Sequence, residues 1–202
     1  MQMPPQQPRY FVGLDLGQRQ DYTALAVIER HGWNTDAPLA LRHLYRFPLG
    51  TSYPKIVSEV SNLLSRPPLS QQGTELVVDE TGVGAAVFEL FTQAGLRATV
   101  RGIHITGGST VNEDGAVWCV PKRELVGTIQ VALQTGRLKI ARELPEAATL
   151  VGELQEFRVT ITEAANDTYG GRSGKHDDLV LAVALALWVA ERNYLPLTVL
   201  RY

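Results

Sequence analysis

The chain has 202 residues, 45% of them hydrophobic and 20% charged, with a formal net charge of −2. That is enough apolar material for one domain with a real core, and the near-neutral balance gives no support to nucleic acid as a partner while leaving room for local basic patches. The single cysteine, Cys119, excludes an internal disulfide and a cysteine-built metal site, and suits a reducing cytosol.

Residues 1–9 are rich in Pro and Gln without an apolar stretch, so they read as a disordered lead and not as a signal peptide. Residues 10–16 form a nearly continuous apolar run, the pattern of a central strand covered on both faces. A turn over 17–21 leads to a second strand over 22–30, and Gly32, Asn34 and Pro38 precede a third over 39–47. Short connections between them predict an antiparallel meander. Pro54 then opens a helix with Ile56, Val57, Val60, Leu63 and Leu64 at helical spacing, which Pro67 and Pro68 end. A fourth strand spans 75–79; Gly82 and Gly84 turn into a helix reaching Gln93, stopped by Gly95. A fifth strand covers 98–105, and 106–120 read as a flexible loop or small hairpin, with Trp118 assigned to the core. Pro121 starts a helix through Gln134, closed by Gly136. A short strand over 138–140, a helix over 145–156 and a strand over 157–162 follow. Residues 164–175 are a polar, Gly-rich loop before the last helix, from Asp177 to Arg192. No internal repeat or linker divides the chain, so 10–202 read as one α/β domain. Its sheet is mixed, a three-strand antiparallel meander plus parallel strands, with helices on both faces.

Carboxylates stand at three distant points of this pattern. Asp15 ends the first apolar run, Asp79 ends another, and Asp177 and Asp178 open the last helix. Each has an ordinary explanation: an Asp at a strand end forms turns, and acids in a first helical turn favour the dipole or cap it. Two adjacent acids at one helix start fit that explanation less well. From Leu179 to Ala190 the helix is apolar on every side, hence buried, and it falls about eight residues short of the roughly 20 that span a membrane. Asp178 shares a face with Leu181, Ala182 and Leu185, while Asp177 lies about 100° around the axis. Asp178 is therefore favoured to point inward, with Asp177 capping the helix or acting through water. Asp15 and Asp79 can meet only if their strands are parallel neighbours. Converging carboxylates raise one another's pKa unless a cation is present. Hard divalent ions take such oxygen ligands, and two of them about 4 Å apart assist phosphodiester cleavage.

Several segments resemble one family. They are Phe11 to Gly17 with Asp21 to Ala24 downstream, Val78 to Gly84, Val120 to Val126, and Gly174 to Val180 running into an Ala-rich helix. In order and spacing they resemble the C-terminal nuclease domain of the terminase large subunit, the DNA-packaging motor of tailed bacteriophages, over about residues 10–192. The resemblance implies a ribonuclease H-like fold and metal-dependent endonuclease activity on double-stranded DNA, with two Mg²⁺ or Mn²⁺ ions. It implies Asp15, Asp79 and Asp178 as catalytic metal ligands, with Asp15 bridging, and Asp177 and Asp21 as accessory acids. Hydrolysis leaving a 3′-hydroxyl and a 5′-phosphate follows from the same likeness. So do partners: a terminase ATPase domain, the small terminase subunit and the portal, with no membrane and a place in the cytoplasm of a bacterial host. The family's ATPase domain is not among these residues; Gly170 to His176 fails as a phosphate loop, since Tyr169 and His176 stand where Gly and Ser or Thr are required.

DNA affinity then rests on phosphate contacts. Candidates are Lys122 and Arg123 at a helix start, Arg172, Lys175 and His176 beside the acidic pair, and Arg19 and Arg101. Each is also explained as a solvated surface charge. Three competing readings remain: a Holliday-junction resolvase-like nuclease, a catalytically inactive DNA-binding module, and an ATP-binding fold of the actin and sugar-kinase type. The last requires a second Gly-rich motif and more chain.

Overall fold

The apolar runs that end in Asp15 and Asp79 lie side by side at the middle of one sheet. The computed structural model describes residues 7–17, 21–32, 34–71, 73–163 and 176–192. In chain order they form β1 (Arg9–Asp15), β2 (Ala24–Arg30), β3 (Leu39–Arg46), α1 (Tyr53–Leu64), β4 (Thr74–Asp79), α2 (Gly84–Gln93), β5 (Thr99–Thr106), β6 (Asn112–Asp114), β7 (Val117–Pro121), α3 (Lys122–Gln134), β8 (Leu138–Ile140), α4 (Ala147–Glu163) and α5 (Asp178–Arg192). The described strands make one eight-stranded sheet in the order β6-β7-β5-β4-β1-β2-β3-β8. β1, β2 and β3 pair antiparallel, the expected meander. β4, β5 and β7 extend from β1 in parallel.

Alternation along the strands divides the core into two layers. From β1, Tyr10, Val12 and Leu14 face α1 and α2, where Ile56, Val60, Val87 and Phe91 are buried. Phe11 faces the other way, towards α3 and α5. Both faces of the sheet are therefore covered, which is why β1 and β4 read as unbroken apolar runs.

Gly13 has a specific purpose in this packing. A Cβ there would stand 2.0 Å from the Ala182 carbonyl oxygen and 2.9 Å from the Ala186 nitrogen. The backbone of α5 thus lies directly on the backbone of β1, and every residue of α5 from Asp178 to Ala190 is buried.

Two expectations change. Residues 157–162 are not a strand; they continue α4 to Glu163. Val159 to Thr162 are β-branched or hydroxylated and favour strand, but extending a helix already formed costs less than starting another element. Residues 106–120 hold the hairpin β6–β7, one of the two forms expected there, with β7 beside β5. β1 also begins at Arg9, within the expected lead. Residues 1–6 of that lead and the loop over 164–175 lie outside the described residues.

Candidate metal centre

Strand register brings the first two acids together. β1 and β4 run in parallel with Leu14 opposite Val78, so one step further on Asp15 and Asp79 are neighbours on the α5 side of the sheet. Their side chains are close enough for each to bear on the other's charge, and Asp79 Oδ1 accepts from the Thr81 N–H at 2.9 Å. The same row continues across the meander, with Asp15 opposite Ala24 and Ala24 opposite Arg46.

Helix α5 delivers the third acid. Ala182 sits over Gly13; two residues along the strand towards Asp15 advance about 6.6 Å, and one turn back along the helix covers about 6 Å. Asp178 therefore arrives over the end of β1. It is 4% exposed, and its Oδ2 accepts from Arg46 Nε at 2.7 Å. Asp177 precedes the helix: its carbonyl accepts from the Leu181 N–H at 2.9 Å, and its Oδ2 accepts from Lys122 Nζ at 2.8 Å.

The cost of this gathering is electrostatic. Burial pushes the Asp15 carboxyl well above the usual range, and the charges of Asp79, Asp177 and Asp178 push it further. Asp79 is raised by burial, partly offset by hydrogen bonds from Thr81. Asp178 is raised by burial too, with Arg46 pulling the other way. Among the described residues no three His, Cys, Asp or Glu side chains already form a chelating group; Arg46 draws on Asp178, and Lys122 on Asp177. The donors are nonetheless carboxylate oxygens, the ligand type of hard divalent cations, and a cation would relieve the repulsion that raises Asp15. The residues fit such an ion.

The other anticipated residues are placed as follows. Asp21 is exposed, and its backbone passes close to Gly17 just beyond β1, where a Cβ would meet the Asp21 carbonyl oxygen at 2.3 Å. His176 Nδ1 is 3.8 Å from Asp178 Oδ1, with its ring edge-on to Tyr22 at 5.1 Å. Arg123 donates to the Ser109 carbonyl at 3.1 Å. Arg101 pairs with buried Glu75, Nε to Oε2, at 2.6 Å, and lies 4.8 Å over the Trp118 ring; Trp118 packs against the core, edge-on to Trp188. Arg19, Arg172 and Lys175 lie outside the described residues.

Arg46 and Glu153 were not anticipated. Arg46 pairs with Glu153 as well as Asp178. Glu153 is pushed up to about 7, first by burial and then by Asp178. His104 Nδ1 also stands 3.0 Å from Glu80 Oε2, next to Asp79. The meander register could have exposed Arg46, because it shares a row with Asp15. Glu153 gives no local signal.

A five-strand core ordered β3-β2-β1-β4-β5, with acids at the ends of β1 and β4 and at the start of a crossing helix, defines a ribonuclease H-like fold with an acidic site. The family described as the terminase RNaseH-like domain matches residues 12–188, and the chain belongs to it. It is similar to the terminase large subunits of Thermus virus P23-45 and Thermus phage G20c, each 25% identical over 178 residues, covering 88% of this chain. The chain spans 31% of the length of those relatives. Among solved structures, the Mn-soaked human cytomegalovirus terminase nuclease domain aligns with a TM-score of 0.58 at 15% identity, covering 92% of this chain and 84% of that one. The nuclease domain of the P22 large terminase aligns with a TM-score of 0.51 at 13% identity, covering 97% and 90%. At these identities the likeness establishes the fold. No helix among the described residues is long and apolar enough to cross a membrane.

Proposed function

We propose that this chain is a divalent-metal-dependent endonuclease that hydrolyses double-stranded DNA, serving as the nuclease part of a viral packaging terminase. The observation that carries the reading is the convergence of Asp15, Asp79 and Asp178, all raised by burial and with Asp15 repelled by the other two, at one end of the sheet. Membership of the terminase RNaseH-like family, and relatives described as terminase large subunits and nuclease domains, one of them soaked with Mn, support it.

Asp15 sits between the other two acids and is assigned both cations, Asp79 one and Asp178 the other, with Asp177 and Asp21 as accessory acids. A pair of Mg²⁺ or Mn²⁺ ions supplies Lewis-acid polarisation of the phosphoryl group and activation of water. The protein's own task is to keep Asp15 ionised, to hold the phosphate and to leave a 3′-hydroxyl and 5′-phosphate. Lys122, Arg123, Arg172, Lys175 and His176 are assigned to DNA phosphates, as a sequence-independent and salt-sensitive contact set. Residues 10–202 act as one nuclease domain in this account. Its partners are an ATPase domain, a small terminase subunit and a portal in an infected bacterial cytoplasm.

Incubation of supercoiled plasmid with Mn²⁺, Mg²⁺ or chelator, beside Asp15→Ala and Asp178→Asn, tests the reading. Nicking that needs metal and both acids supports it. Equal nicking by the folded variants overturns it, and a strong preference for four-way junctions points instead to a resolvase.

A further inference from the structure

Arg46, at the end of β3, is held on three sides. Nε donates to Asp178 Oδ2 at 2.7 Å, Nη2 pairs with Glu153 Oε1, and the guanidinium lies 4.6 Å over the Tyr22 ring. Glu153, on α4, is 7% exposed. Its second oxygen, Oε2, accepts from the Val180 N–H at 3.1 Å. Asp178 and Val180 both belong to the first turn of α5. The contacts therefore close a ring that leaves α5 through the Asp178 side chain and returns to it through the Val180 backbone.

A ring of this kind does two mechanical things. One arm of the Arg46 fork holds Oδ2 of Asp178 through a charge-assisted hydrogen bond while another reaches Glu153. Glu153 fixes the fork in turn, and also satisfies one of the orphan N–H groups at the helix start. Stability alone is a weak reason for such a construction, since buried ion pairs are often replaced by apolar residues without loss. Orientation is a better one: carboxylates that ligate metals are themselves commonly held by hydrogen bonds from outside the ligand set.

We propose that Arg46 and Glu153 are positioning residues that aim Asp178, occupying its Oδ2 so that Oδ1, which stands 3.8 Å from His176 Nδ1, is the oxygen offered to a divalent cation beside Asp15. This rests on the metal-centre reading above. Arg46 touches no reacting atom in this role; it acts through Asp178, and Glu153 acts through Arg46.

Calorimetric titration with Mn²⁺ of the wild-type protein, Asp178→Asn, Arg46→Lys and Glu153→Gln separates the possibilities. Lysine keeps the charge but loses the fork. Glutamine keeps a carbonyl acceptor for the Val180 N–H but turns an N–H donor towards Arg46 where Glu153 offers a second acceptor oxygen. Both conservative variants are expected to keep the wild-type circular dichroism spectrum and to bind Mn²⁺ about 10–100-fold more weakly. Wild-type Mn²⁺ affinity in both folded variants overturns the positioning role while leaving the metal centre intact. Absence of Mn²⁺ binding by the wild-type protein removes the metal centre itself, and this role with it. Should the lysine variant not fold, the glutamine variant gives the same reading alone.

Discussion

Asp15 and Asp79 stand side by side at the ends of two parallel strands, both carboxyls raised by burial and Asp15 further by the charge of Asp79. Two ionised carboxylates held this close and out of water repel each other; the pair either keeps a proton or takes up a cation. Metal and proton are thus alternative occupants of one arrangement, and the resting protein without metal is expected to hold the proton.

Stability of the metal-free protein should therefore fall with rising pH. Glu153 is raised from 4.5 to about 7, and Asp15, Asp79 and Asp178 are raised as well, in each case first by burial. A folded-state pKa above the unfolded one means that the folded state binds the proton more tightly. For Glu153 the stabilisation is complete below about 4.5 and disappears as pH rises through about 7; the three aspartates act in the same direction from about 3.8 upward, and His43, lowered by burial, opposes them below about 6.5. Thermal unfolding in chelator should show the midpoint dropping over that window, by about 2–4 °C per kcal/mol lost at this chain length. Added Mn²⁺ should restore it at neutral pH.

Replacing Asp15 by Asn removes the acid most disfavoured by its surroundings. Asp15→Asn is expected to raise the thermal midpoint in chelator at pH 8 and to abolish the rise produced by Mn²⁺. Plasmid cleavage should fall at least about 100-fold, the scale of losing one electrostatic contact to a transition state. A variant less stable than wild type in chelator contradicts the electrostatic account of the site.

Gly13 tests how the helix is seated. Gly13→Val places atoms into the Ala182 carbonyl, 2.0 Å from the Cβ position, and overpacking of this kind costs about 1–3 kcal/mol or more. Urea unfolding should show that loss. Mn²⁺ affinity should fall as well, because lifting α5 off β1 moves Asp178 away from Asp15.

Arg123 is exposed at the start of α3, with a single contact to the Ser109 carbonyl described. If it meets a phosphate, Arg123→Ala weakens duplex binding and lowers the salt slope of log K by about 0.9. Binding measured across a range of salt concentrations decides this, and an unchanged slope returns Arg123 to the solvated surface.

The fold is legible in the most local signals of the sequence. Unbroken apolar runs marked β1 and β4 as central because both of their faces are covered, and the uniformly apolar helix marked α5 for the same reason. The acids were legible because each interrupts such a run at its end. Arg46 and Glu153 were not, since their partnership joins residues 107 apart in the chain, and a single charge on a half-exposed strand or helix is the ordinary pattern of a surface. The final stretch of α4 misled because β-branched residues favour strands on average, while the helix they extend is already nucleated upstream. Arg172 and Lys175 fall outside the described residues, so their expected DNA contacts stay with the proposal.

The most direct measurement is anomalous diffraction from a crystal of this protein soaked in Mn²⁺. Peaks at ligand distance from Asp15, one shared with Asp79 and one with Asp178, are the predicted result. Saturating Mn²⁺ that leaves no peak against the Asp15 carboxylate, in a crystal whose sheet and α5 are as described, contradicts the account.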